Sequence, residues 1–126
     1  MSCADKPCPT CPWRRSSTAG GADIPGFSIE DMRSLANTVP PRGSTQDDFR
    51  KIMACHHSKP GREYACAGYI ARHGMSNLNV RLMAFSGADL NKVVANCAGL
   101  DLYDNFHEML DTFEAALAVQ GIESLR

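Results

Sequence analysis

Nowhere in this chain does an apolar run approach the roughly 18 residues that a membrane span needs. The N-terminus also lacks the apolar stretch of a secretory leader, because Ser2, Asp5, Lys6 and the early prolines and cysteines interrupt it. These two absences lead us to expect a cytoplasmic protein in a reducing compartment. Net charge is close to nil, at −1, so no global field draws the chain to nucleic acid or to a lipid surface. Aromatic residues are sparse at 7%, with a single tryptophan, too few for a run of interleaved stacking platforms. Internal repeats and low-complexity tracts are missing as well, which excludes a solenoid.

What is present fits one small domain. A chain of 126 residues with 44% hydrophobic and 21% charged side chains is ordinary globular material. It can bury a modest core, yet it is small enough for a metal clip to contribute measurably. The charge is unevenly placed. Residues 1–82 hold 11 Lys and Arg against 7 Asp and Glu, whereas residues 83–126 hold 2 against 7. A basic first part therefore precedes an acidic tail, read here as the solvated face of a helix or as an orienting surface for a partner.

The expected organisation is 1–26 as a metal-binding loop, 27–86 as a core and 88–126 as an acidic helical tail, all within one domain. Pro7, Pro9 and Pro12 forbid regular helix at the start. Residues 16–21, Ser-Ser-Thr-Ala-Gly-Gly, read as spacer. Ser28 with Asp31 forms a capping-box pattern, with Phe27 and Met32 as its staple, and Pro40-Pro41 ends that helix. Phe49 to Cys55 fits either a short helix or a strand leading to Cys55, and strand or extended chain is preferred. Tyr64 to His73 reads as a helix carrying Cys66, with Gly74 as its stop. Ser76 is the expected cap of a helix from Asn77 to Phe85, and Asp89 that of a helix over Leu90, Val93, Val94 and Cys97. In the last segment Phe106, Met109, Leu110, Phe113 and Leu117 recur at helical steps. Asp101 or Asp104 would cap this helix and Gly121 would end it. The fold class is mainly α, with a small α+β arrangement as the alternative.

The chemistry lies in the cysteines. Cys8 and Cys11 flank a Pro-Thr turn, and Cys55-His56-His57 and Cys66 are the second group of soft ligands. In a reducing compartment, six cysteines are thiolate ligands and spares before they are disulfides. A structural zinc ion takes four thiolate or imidazole ligands in a closed tetrahedron, and Cys8, Cys11, Cys55 and Cys66 supply four sulfurs. His56 and Cys3 are the alternative ligands. Adjacent residues point apart, so Cys55 and His56 would not both bind, and the unused imidazole could instead hydrogen-bond a ligand sulfur. A [4Fe-4S] cluster is the alternative occupant, because Cys-Pro dipeptides recur around such clusters. Cys97, on an apolar helical face, reads as core filling.

Other chemistries fit less well. A redox dithiol needs its Cys-x-x-Cys between a strand and a helix, and neither flanks this one. A Cys55–His56 nucleophile would require sequence neighbours to meet side chain to side chain, with no oxyanion hole in view. Trp13, Arg14 and Arg15 are binding candidates: an indole beside two guanidiniums can stack on a base or meet phosphate, or it can cover the metal site while the arginines pair with the acidic tail.

Cys-Pro-x-Cys-Pro-Trp-Arg-Arg, the Cys55-His56 pair, Cys66-Ala67-Gly68-Tyr69 and Asn79-Val80-Arg81-Leu82 together resemble a small family of uncharacterised bacterial and phage proteins. The likeness covers roughly residues 6–86 and would match Cys8, Cys11, Cys55, His56 and Cys66 to its ligand positions. It implies a phage-encoded interaction protein acting in a host cytoplasm on a defence or regulatory protein. The expectation is a zinc-stabilised module for a protein partner, leaning away from an enzyme. A nucleic-acid-binding zinc protein and an iron–sulfur or thiol redox sensor are the competing readings. The roles of His56, His57 and His73 stay open at this level.

Overall fold

The computed structural model describes residues 4–7, 10–17, 21, 24, 27–44, 47–55, 58, 61 and 63–124. Five α-helices are found among them: α1 (Ile29–Ser34), α2 (Ala67–His73), α3 (Leu78–Met83), α4 (Leu90–Cys97) and α5 (Phe106–Ser124). Short 3-10 turns continue α1, α2 and α3. Extended pairing among the described residues is limited to isolated bridges that join Arg14 to Leu102, Asp48 to Asn77 and Ala54 to Ala65. The domain is mainly α.

Helix α2 runs through the centre. Ala67, Gly68, Tyr69 and Ile70 are buried consecutively, which happens only when a helix is covered on every side. It packs on α4, while α1 packs on α5. Trp13, Val80, Phe106, Met109 and Phe113 fill the space around it.

Local sequence sets most helix starts. Ser28 accepts from the Asp31 N–H and Asp89 from the Lys92 N–H, both at the expected caps. The staple partner is different: Phe27 lies against Phe113, with ring centroids 5.3 Å apart. The cap of α3 is Asn77 rather than Ser76, since the Ser76 hydroxyl donates to the His73 carbonyl while Asn77 accepts from the Asn79 N–H. Helix α2 begins at Ala67 rather than Tyr64. The Cys66 N–H donates to the Met53 carbonyl and the Cys55 N–H to the Tyr64 carbonyl, which commits 64–66 to a two-stranded ribbon. The segment 49–55 is accordingly extended.

Helix α5 corrects both of its expected ends. Asn105 Oδ1 accepts from the Glu108 N–H, so Asn105, not Asp101 or Asp104, is the cap. The backbone stays helical through Gly121 to Ser124. A glycine costs a growing helix only about 1 kcal/mol, which does not end it unless the chain beyond turns away.

The N-terminal chain is stitched down rather than loose. Ala4 N–H donates to the Ala65 carbonyl, Arg15 N–H to that of Asp101, and Tyr103 N–H to that of Trp13. Ser17, read from sequence as spacer, is buried and its hydroxyl donates to the Cys11 carbonyl at 2.8 Å. The uneven charge is satisfied within the chain. Arg15 pairs with Asp101 at 3.2 Å and also with Glu108, Arg33 with Glu114, and Arg42 with Asp111. Such exposed pairs contribute little each, but three of them bind the basic half to the acidic tail in one register.

Candidate metal centre

Cys66 occupies the joint between the ribbon and α2. Antiparallel pairing of Ala54 with Ala65 places Cys55 and Cys66, the residues following each, on one face of the ribbon as diagonal neighbours. Both are buried. Cys11 reaches Cys66 from the N-terminal loop, and their side chains are hydrogen-bonded. This bond joins sulfurs 55 positions apart in the chain. It holds the Cys66 thiol below the ordinary range against the opposing effect of full burial, and the N–H groups of Tyr69 and Gly68 add to it.

Cys97 lies close by and behaves oppositely. Its Sγ meets the Ala67 carbonyl at 3.7 Å. Burial pushes its thiol up, and the negative charge at Cys66 adds to this. It fills the α2–α4 contact, as the apolar face of α4 suggested.

Of the expected ligands, Cys11 and Cys66 are brought together, whereas Cys55 is buried in the same core but is not gathered with them. Cys8, Cys3, His56 and His57 lie outside the described residues. Among the described residues, no group of three or more His, Cys, Asp or Glu side chains is gathered as a metal ion would need. With only Cys11 and Cys66 meeting among these residues, a closed tetrahedron requires at least two further ligands brought to that pair. The donor chemistry at Cys66 fits a metal thiolate, since two backbone N–H groups already aim at the sulfur.

Trp13 does not offer the stacking face that is one of its two readings from the sequence. Trp13 is 0% exposed and wedged against Gly68, where a Cβ would come within 2.7 Å of the indole stem. Buried in this way, the indole is out of reach of a stacking base or partner. Arg15 is committed to the acidic tail and to the face of Tyr103, 4.9 Å from the ring centroid. Arg14 donates to the Pro7 carbonyl at 2.9 Å. Gly68 was missed as a site residue by sequence reasoning; the small residue in Cys-Ala-Gly-Tyr was its signal.

His73 ends α2 and tethers the start of α5. Its Nε2 accepts from the Phe106 N–H at 2.9 Å, and the ring lies between Trp13 and Tyr69. Burial, with the nearby charge of His107, lowers it to about 4 from 6.5. The unfolded chain therefore takes up this proton first. The resulting stability is complete above pH 6.5 and is lost as pH falls through about 4, a contribution of about 3 kcal/mol. Urea midpoints measured from pH 7.5 to 4 should fall accordingly, and His73→Gln should flatten that decline. An unchanged slope in the variant would assign the acid sensitivity elsewhere.

The chain belongs to a family of unknown function, DUF6283, whose model matches residues 3–126. The match carries through the acidic tail, beyond the residues 6–86 on which the likeness was first recognised. No curated protein and no solved structure matches it. No helix among the described residues is long and apolar enough to cross a membrane.

Proposed function

We propose that this protein is a metal-stabilised, non-enzymatic module that recognises a protein partner. Cys11 and Cys66 would be two ligands of a zinc ion, and Cys8 and Cys55 the other two, Cys55 having to move toward the pair because it is not gathered with them here, with His56 and Cys3 as substitutes. The observation that carries this reading is the meeting of the Cys11 and Cys66 side chains, one from an irregular loop and one from a ribbon end, in the buried core. A loop with this little regular structure gains most from such a clip. Bound there, zinc would supply cross-linking and charge neutralisation of the thiolates.

Protein rather than nucleic acid is favoured as partner because Arg15, Arg33 and Arg42 are neutralised by the tail and Trp13 is inaccessible. Exposed Leu82 and Phe85, three positions apart after α3 begins, are apolar contact candidates instead, Phe85 being 89% exposed. A cytoplasmic setting, and a host protein as target of a phage-encoded chain, accompany this proposal. A [4Fe-4S] cluster is the alternative occupant.

Elemental analysis of the purified chain, with a visible spectrum recorded anaerobically, tests the centre. About one zinc per chain is expected, falling to near none in Cys66→Ser and Cys11→Ser. Cys97→Ala should keep its metal. Brown colour would replace zinc by iron and sulfide, and metal content unchanged in Cys66→Ser would remove the centre altogether.

A further inference from the structure

At the opposite end of α2 from Cys66 there is a cavity of about 690 Å³, enclosed by the 40–44 turn, the end of α2 and the first two turns of α5. Its size falls in the range of small-molecule sites, roughly 300–1,000 Å³. Its lining mixes apolar surface with polar side chains, and the structural hydrogen bonds engage only one side of several of these polar groups. Arg72 donates through Nε to the Tyr103 carbonyl at 2.9 Å and through Nη2 to that of Leu102 at 3.4 Å. No carboxylate among the described residues pairs with it. The guanidinium is thus fixed in place with its charge unmatched and Nη1 unused.

Two neutral donors line the same cavity. Because His73 Nε2 accepts from Phe106, the ring proton sits on Nδ1, where no described residue accepts it. Asn105 spends Oδ1 on the Glu108 N–H, which leaves its amide N–H groups. A guanidinium, an imidazole N–H and an amide N–H in one lining suit a carboxylate. His107, also in the lining, donates from Nε2 to the Pro40 carbonyl, so its Nδ1 is an acceptor. Asp111 is held by Arg42 and Glu108 by Arg15, whereas Asp104 stands 3.8 Å from Arg15, the loosest of the three carboxylates. One unmatched cation and one weakly matched anion remain, and three lining carboxylates disfavour polyanions.

We infer that this cavity binds a small zwitterion of the amino-acid or short-peptide class, its carboxylate on Arg72, His73 and Asn105 and its ammonium toward Asp104 and His107. The inference is independent of the metal.

The full chain titrated with triglycine by calorimetry, and by NMR of the histidine side chains, tests it. Saturable binding should shift the His73 and His107 signals. Triglycine amide and N-acetyl triglycine should each bind at least about tenfold more weakly, the loss of one charge-assisted contact. Arg72→Gln should reproduce the loss seen with the amide. Because Arg72 also holds the 102–103 carbonyls, Asp104→Asn, at an exposed position, is the second variant, and it should narrow the gap between triglycine and its N-acetyl form. No binding at millimolar triglycine, equal binding of the amide, or tighter binding of inorganic phosphate would overturn the assignment.

Discussion

Asn77→Ala should destabilise the protein by about 4 kcal/mol, a large share of what a domain of this size has to spare. Asn77 is 0% exposed and satisfies its whole hydrogen-bonding capacity inside the protein. Its Nδ2 donates to the Lys51 carbonyl at 3.0 Å and to the Tyr69 hydroxyl at 2.9 Å. Its Oδ1 accepts from the N–H groups of Asn79 at 3.0 Å and Arg50 at 3.3 Å. The Tyr69 hydroxyl passes its own proton to the Thr38 carbonyl at 2.6 Å. One amide therefore caps α3, holds the extended 48–51 segment and secures the tyrosine that ties α2 to the turn after α1. Alanine would strand several buried groups at about 1–3 kcal/mol apiece before relaxation, and it would lose the cap besides. The check is a urea titration in which the midpoint falls at constant slope. A loss under about 1 kcal/mol would mean that water replaces the amide and that the network is not what joins these segments.

The second large effect belongs to Trp13. Trp13→Ala should cost about 4 kcal/mol, in the range for deleting a buried aromatic side chain. The indole fills the space over Gly68 and meets the His73 ring at a centroid distance of 5.7 Å. Trp13→Phe should cost only about 1 kcal/mol, because it keeps most of the apolar contact and removes an N–H that is buried with no partner among the described residues. Far-UV circular dichroism is the suitable probe, since the chain has a single tryptophan and both variants lose its fluorescence. Equal losses for the two variants would show that the indole N–H, not the packing, is what matters.

The two effects differ in how far the sequence announced them. Trp13 drew attention as an aromatic beside two arginines, and an exposed contact was one reading of that setting. Burial of an aromatic depends on what lies over it, and Gly68, 55 positions away, provides the space. Asn77 reads from the sequence as the first residue of a helix capped by Ser76, a position that makes no special demand on its side chain. Its partners Lys51 and Tyr69 come from segments that only folding brings alongside. The acidic tail is similar: its charges were legible, and so was its pairing with Arg15 as one reading, but not that Arg33 and Arg42 answer it as well.

The order of residues alone determined the helical character, the Ser28 and Asp89 caps, the apolar stripe of the last helix and the two groups of cysteines, because each depends on neighbours within a turn or two. Only the tertiary structure decided that Cys11 and Cys66 meet, that Trp13 is covered and that His73 ties two helices together. Those outcomes rest on contacts between distant segments, whose free energy depends on the space and charge that packing creates rather than on any local pattern.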